Sequence, residues 1–120
     1  MAKVMVVDDA MSEVKLMESI LRGAGYHVVS YGDGEGLEEK VVSERPDVLL
    51  LDIVMPKRNG YEVLRSLKRD TVTRSTPVVL VTSKNQASDE AWGRRQGADD
   101  YLGKPFTPEQ LVGMVRRFVR

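Results

Sequence analysis

The chain has 120 residues, one domain's worth, and its 18 basic residues balance 18 acidic ones, so no net field draws it to nucleic acid or an anionic membrane. With no cysteine and a single histidine, it has no disulfide, thiol nucleophile, cysteine-based metal centre or multi-histidine metal site. Apolar residues at 42% and charged residues at 30% suit a globular domain, and no apolar stretch approaches the ~20 residues of a membrane span.

In chain order, Met1-Ala2-Lys3 leads into an apolar run at Val4–Val7 that ends in Asp8-Asp9. This start is too short for a signal peptide, so a cytoplasmic protein is expected. Met17, Ile20, Leu21 and Ala24 then make a helical stripe closed by Gly23 and Gly25. Val28–Val29 marks a second strand, in which the isolated His27 reads as a surface residue. Gly32, Gly34 and Gly36 follow, but they are no dinucleotide fingerprint, because no G-x-G-x-x-G follows the first strand. Leu37, Val41 and Val42 predict the second helix. Pro46 precedes the run Val48–Leu51, which ends in Asp52.

Val63, Leu64 and Leu67 predict the third helix, and Pro77 precedes the run Val78–Val81, which ends in Thr82-Ser83. The fourth helix, near Ser88–Gln96, is the poorest: Ala87 and Ala91 are expected to carry its apolar face, Gly93 to weaken it and Gly97 to stop it. Tyr101–Leu102 is the fifth strand, followed by Lys104-Pro105. Thr107, Pro108 and Gln110 form a capping box with proline at the first helical position. Leu111, Val112, Val115, Phe118 and Val119 share one face of the fifth helix, and Arg116, Arg117 and Arg120 read as its solvated side.

Runs of four or more apolar residues with no polar alternation suit strands covered on both faces. Alternating βα units and the right-handed crossover rule then predict an α/β fold, a (βα)5 doubly wound parallel sheet of five strands. The pattern alone leaves strand order open. In such sheets ligands bind beyond the carboxyl ends of the strands, where strand order reverses. With order 2-1-3-4-5, Asp8, Asp9 and Asp52 converge there, flanked by Thr82 and Lys104. Three carboxylates repel one another, one lysine cannot neutralise them, and Mg²⁺ on oxygen ligands would. A carboxylate beside Mg²⁺, a lysine and a hydroxyl matches the needs of phosphoryl transfer. Single aspartates often only cap helices or open turns; polar residues at four successive strand ends favour a shared site.

These residues carry a family resemblance. Asp8-Asp9, Asp52 with Met55-Pro56 and Asn59-Gly60, Thr82-Ser83 and the segment Tyr101–Phe106 resemble a response-regulator receiver domain of the chemotaxis-regulator type, from Lys3 to about Val119. Asp52–Pro56 and Ala91–Ala98 look most like the single-domain regulators of pilus-driven twitching motility. The resemblance implies a flavodoxin-like receiver fold over residues 1–120 without an output domain. It makes Asp52 the acceptor of a phosphoryl group from a sensor histidine kinase. It gives Mg²⁺ the Asp9 and Asp52 side chains, the Val54 backbone carbonyl and, through a water, Asp8. Lys104 and Thr82 would hold phosphoryl oxygens, Tyr101 would be an aromatic switch, and the Lys104–Pro105 bond would be cis. Val54 and Lys84 would flank the path of the hydrolytic water and tune the phosphoryl lifetime.

Output would pass through the face of the fourth helix, fifth strand and fifth helix to a downstream protein target, with no nucleic acid or membrane partner. Trp92 is either a partner-docking residue on that face or packed on its own helix ends. The competing readings are a magnesium-dependent phosphohydrolase with an aspartate nucleophile, an FMN carrier and an adaptor that takes no phosphate. The first lacks a cap domain to exclude water. The second would need an anion site where Asp8-Asp9 stand, and the third does not need the full polar set.

Overall fold

Val48–Leu51 has no polar side chain on either face, so a strand made of it must be covered from both sides. In the computed structural model, which describes residues 2–119, that run is the middle strand of a five-stranded parallel sheet. The elements follow as β1 (Lys3–Val7), α1 (Met11–Gly23), β2 (His27–Tyr31), α2 (Leu37–Glu44), β3 (Val48–Leu51), α3 (Gly60–Arg69), β4 (Val78–Thr82), α4 (Ala87–Arg95), β5 (Asp100–Gly103) and α5 (Pro108–Arg116). The sheet order is β2-β1-β3-β4-β5 with every pair parallel. Arg120, read above as part of a solvated face, lies outside the described residues.

The two-residue period of the strands divides the core. Met5, Val7, Leu49, Leu51, Val78 and Leu80 face Leu37 and Val41 of α2 and Val63, Leu64 and Leu67 of α3. Val4, Val6, Leu50, Val79 and Val81 face Met17 and Leu21 of α1 and Leu111 and Val115 of α5. Each fully buried leucine or valine stabilises the fold by roughly 1.5–3 kcal/mol, which makes these two layers the main favourable term. The capping box at Thr107 forms as expected, Gln110 N–H donating to Thr107 Oγ1 at 3.1 Å and Thr107 N–H to Gln110 Oε1 at 2.8 Å.

Several details differ from the sequence pattern. In α1 the stripe runs through Val14, Met17 and Leu21, while Ala24 is an exposed C-cap. Val42 is exposed, because it stands one position past the turn that Val41 buries. Phe118 and Val119 pack against the core from beyond the end of α5. The largest correction concerns α4. Ala87 and Ala91 are exposed, and Gly93 is the one buried residue of the helix. A Cβ at Gly93 would meet Leu80 Cδ1 at 2.8 Å and the Tyr101 ring at 3.1 Å, so α4 rests on the sheet through its backbone. Glycine anchors this helix by letting it approach.

Charged side chains tie the edges. Arg117 is exposed, as expected of a solvated face, yet has a partner. It pairs with Asp100 Oδ2, while Arg94 reaches Asp100 Oδ1 at 2.9 Å, so one buried carboxylate joins α4, β5 and the end of α5. Between α2 and α3, Arg58 grips Glu38 of α2 with two parallel contacts of 2.8 and 2.7 Å, and the Ser66 hydroxyl donates to the same carboxylate. The Arg58 guanidinium holds the Glu38 carboxyl at about 2, below its usual 4.5. A carboxyl depressed in the fold stabilises above its unfolded pKa and loses that stabilisation as pH falls toward the folded value. Unfolding free energies of wild type and Glu38→Gln from urea titrations are expected to differ by about 2 kcal/mol near neutral pH and to converge below about pH 2. A pH-independent gap would contradict this.

Candidate functional site

Register brings the acidic residues together. Val7 pairs with Leu51 across β1 and β3, so the residues that follow them, Asp8 and Asp52, emerge side by side. The Asp52 N–H donates to the Val7 carbonyl at 3.0 Å, carrying the ladder one step past the strands. One carboxylate oxygen from each of Asp8, Asp9 and Asp52 lies within 4.8 Å of the other two. Asp8 is 1% exposed and Asp52 9%, while Asp9 faces solvent.

β4 and β5 supply the other side. Thr82 pairs with Gly103, and the Lys104 N–H donates to the Thr82 carbonyl at 2.9 Å. From there the Lys104 ammonium reaches Asp8 Oδ2 at 2.6 Å and Asp52 Oδ2 at 3.5 Å. It is thus held more tightly by Asp8 than by Asp52. Burial opposes its charge, but the hydrogen bond to Asp8 and the charges of Asp52 and Asp8 outweigh that and raise its pKa. Burial pushes the Asp52 carboxyl above the usual carboxylate range. The Lys104 charge pulls it down, the Asp8 charge pushes it up again, and hydrogen bonds from Ile53 N–H and the Thr82 hydroxyl favour its charged form.

Three carboxylates against one ammonium leave uncompensated negative charge in a half-enclosed cleft made of hard oxygen donors. That donor set fits Mg²⁺, which takes one or two carboxylates and keeps waters. An aspartate oxygen beside it can act as a nucleophile toward phosphorus.

Of the remaining predicted positions, Thr82, Lys84, Tyr101, Pro105 and Val54 lie in or just beyond β3, β4 and β5, whereas Trp92 lies on α4. Thr82 is fully buried and accepts from Lys84 N–H at 3.2 Å. The Tyr101 ring is buried beneath α4 and its hydroxyl donates to the Lys84 carbonyl, which ties β5 to the β4–α4 loop. The Lys84 side chain is exposed, as is that of Val54, at 60%. The Lys104–Pro105 bond is cis. Trp92 is 46% exposed and meets Tyr61 of α3 edge-on at 6.5 Å, with Arg95 over its ring, so it packs across helices rather than only on its own.

Three features went unread in the sequence. Asp100 is a charge inside a strand run, which is the signal that would have found it. Arg58 with Glu38 has no local signature, since 20 residues separate them. At Gly60 a Cβ would stand 2.1 Å from the Asp52 carbonyl, a closeness that only the fold reveals.

Comparison with known proteins bears on the family and the fold. Protein PilH of Pseudomonas aeruginosa is 43% identical over 115 residues, which span 93% of each chain. The chain also matches longer regulators of which it spans about half, from 45% to 51%. The chemotaxis protein CheY4 of Vibrio cholerae superposes with a TM-score of 0.90 at 32% identity over 99% of both chains. The receiver domain of the sensor histidine kinase PA1611 of Pseudomonas aeruginosa, solved with a magnesium ion coordinated in its active site cleft, superposes at 0.89 with 26% identity over 98% of this chain and 96% of its own. The family profile described as the response regulator receiver domain spans residues 4–116, the whole sheet and both helical layers, and this chain belongs to that family.

Proposed function

We propose that the chain is a cytoplasmic response-regulator receiver that takes a phosphoryl group onto Asp52 from the phosphohistidine of a sensor kinase. The observation that carries this reading is the meeting of Asp8, Asp9 and Asp52 oxygens within 4.8 Å beside Lys104. In the step itself, an Asp52 oxygen attacks phosphorus, the P–N bond breaks, and its electron pair returns to the imidazole nitrogen of the donor. Asp9, Asp52 and the Val54 carbonyl would hold Mg²⁺, with Asp8 contributing through a water. Bound there, the ion supplies positive charge to the equatorial phosphoryl oxygens. Lys104 leaves Asp52 for one of those oxygens while keeping Asp8, and the Thr82 hydroxyl donates to another.

Phosphorylation adds roughly −1.5 to −2 charge and three acceptor oxygens at one point. It therefore favours the arrangement in which Thr82 and Lys104 reach inward, and the β4–α4 loop follows Thr82. Tyr101, bonded to that loop through the Lys84 carbonyl, carries the change to α4. Because Gly93 is the one buried residue of α4, this helix is the element with least apolar contact to lose by moving. The face of α4, β5 and α5, Trp92 included, is the surface offered to a downstream protein. Likeness to PilH and CheY4 favours motility signalling, by type IV pilus or chemotaxis. Among the described residues no helix is long and apolar enough to cross a membrane.

The test is labelling by acetyl phosphate with Mg²⁺ and with a chelator in its place. One phosphoryl group per chain, gained only with the metal and without sustained phosphate release, supports the reading. Continuous turnover of a free phosphate ester would instead support a phosphohydrolase. The exposed Val54 side chain has no group to orient a hydrolytic water, so Val54→Asn is expected to shorten the phosphoryl half-life several-fold. A half-life equal to that of wild type would count against this role.

A further inference from the structure

The loop between β3 and α3 carries Val54, and its ends are pinned. Ile53 N–H donates to Asp52 Oδ1 at 2.7 Å, and Gly60 N–H donates to the Ile53 carbonyl at 2.7 Å. Between them Val54, Pro56 and Lys57 are exposed, and Lys57 adopts a left-handed backbone with φ +69°, which side-chain-bearing residues disfavour. Arg58 N–H closes that turn by donating to the Pro56 carbonyl at 2.8 Å.

The Arg58 side chain then ties this loop to α2 and to the β2–α2 loop. Its guanidinium forks onto Glu38 at 2.8 and 2.7 Å and donates to the Gly34 carbonyl at 3.0 Å. A bidentate pair fixes direction as well as distance. Contact behind it is close: a Cβ on Gly34 would lie 2.7 Å from Val63 Cγ2 and 3.4 Å from Arg58 Cβ. The β2–α2 loop thus seats directly on the β3–α3 loop. Lys57 also reaches Asp33 and Glu35, but these exposed pairs contribute little.

We infer that Arg58 and Glu38 are a positioning pair for the divalent-cation site: their fork fixes the backbone of the loop that carries Val54 and so sets how tightly the cleft takes Mg²⁺. This rests on the receiver reading of Asp8, Asp9 and Asp52. Neither residue touches the phosphoryl group or the ion, and their action runs through the loop.

The sign of the effect separates positioning from simple electrostatics. Arg58→Ala removes a positive charge near a cation site and frees the charge of Glu38, so Coulomb attraction alone would tighten Mg²⁺ binding. Loss of positioning weakens it. Calorimetric Mg²⁺ titrations of wild type, Arg58→Ala, Arg58→Lys and the double variant Arg58→Ala with Glu38→Ala decide the matter, with urea unfolding as a check on the fold. The dissociation constant is expected to rise up to about tenfold in Arg58→Ala, the low end for partners that orient metal ligands. Arg58→Lys keeps the charge without the fork and is expected to be weakened too, and the double variant no further than the single.

At saturating Mg²⁺, labelling by acetyl phosphate is expected to return to the wild-type rate, which a general loss of structure would not allow. An unchanged or tighter constant in Arg58→Ala, or in Arg58→Lys if the alanine variant fails to fold, overturns the inference. Asp9→Ala keeps the two failures apart. If wild type takes no Mg²⁺, or Asp9→Ala binds it equally well, the receiver reading falls and this inference with it.

Discussion

Asp52→Ala is expected to accept no phosphoryl group at all: intact-mass spectrometry after treatment with acetyl phosphate and Mg²⁺ finds only the unmodified chain. The neighbouring carboxylates cannot stand in for it. Asp8 holds the Lys104 ammonium at 2.6 Å, against 3.5 Å for Asp52, and at 1% exposure it is the less open of the two to an incoming group. Asp9 is exposed, and the Lys104 ammonium that must steady an incoming oxygen reaches Asp8 and Asp52. The loss is chemical, because the substitution relieves strain in the fold. Burial raises the Asp52 pKa, so its ionised form is less favourable in the folded chain than in the unfolded one. Stability from such a group is present below the unfolded pKa and is lost as pH rises through the folded one. Without metal, Asp52→Ala is therefore expected to unfold at a denaturant concentration no lower than wild type near neutral pH. A phosphorylated Asp52→Ala protein would remove the acceptor role from this residue.

Gly60→Ala is expected to destabilise the protein by about 3 kcal/mol or more in urea unfolding, a large effect for one methyl group. The added Cβ would stand 2.1 Å from the Asp52 carbonyl oxygen, 2.8 Å from Ile53 Cα and 2.9 Å from the Asp52 carbonyl carbon. All three are backbone atoms, so no rotamer change relieves the clash. The chain must open instead. That breaks the 2.7 Å bond from Gly60 N–H to the Ile53 carbonyl and displaces the first turn of α3, which Asn59 caps by accepting from Glu62 N–H at 3.0 Å. The same opening moves the acceptor residue, so Mg²⁺ affinity is expected to fall along with stability. Wild-type stability in this variant would show that the loop yields more easily than its packing implies.

Some of this site was legible in the residues. Asp8, Asp52, Thr82 and Lys104 each follow an apolar run, and such runs end where chain leaves a sheet, so their place at strand ends is a local property. The thin anchoring of α4 was also visible, because nine residues that include no leucine, isoleucine or valine cannot form a broad apolar stripe. Which residue anchors it was misread: propensity counts Gly93 as a weakness, whereas close approach to Leu80 and Tyr101 makes it the contact. Arg117 is solvated, as its place near a helix end implies, but its contact with the buried carboxylate of Asp100, 17 positions back in the chain, had no local signal.

The amino-acid order alone was enough for the five βα units, the two-sided sheet and the residues that stand at its carboxyl edge, because periodicity and punctuation are set over a few neighbouring positions. The folded chain decided which edges meet. Pairing Val7 with Leu51 puts Asp8 beside Asp52, pairing Thr82 with Gly103 brings Lys104 to both, and docking one loop on another joins Arg58 to Glu38. Those contacts join residues far apart in the chain, and their geometry comes from packing two apolar layers onto one sheet, a constraint that no short window of sequence contains.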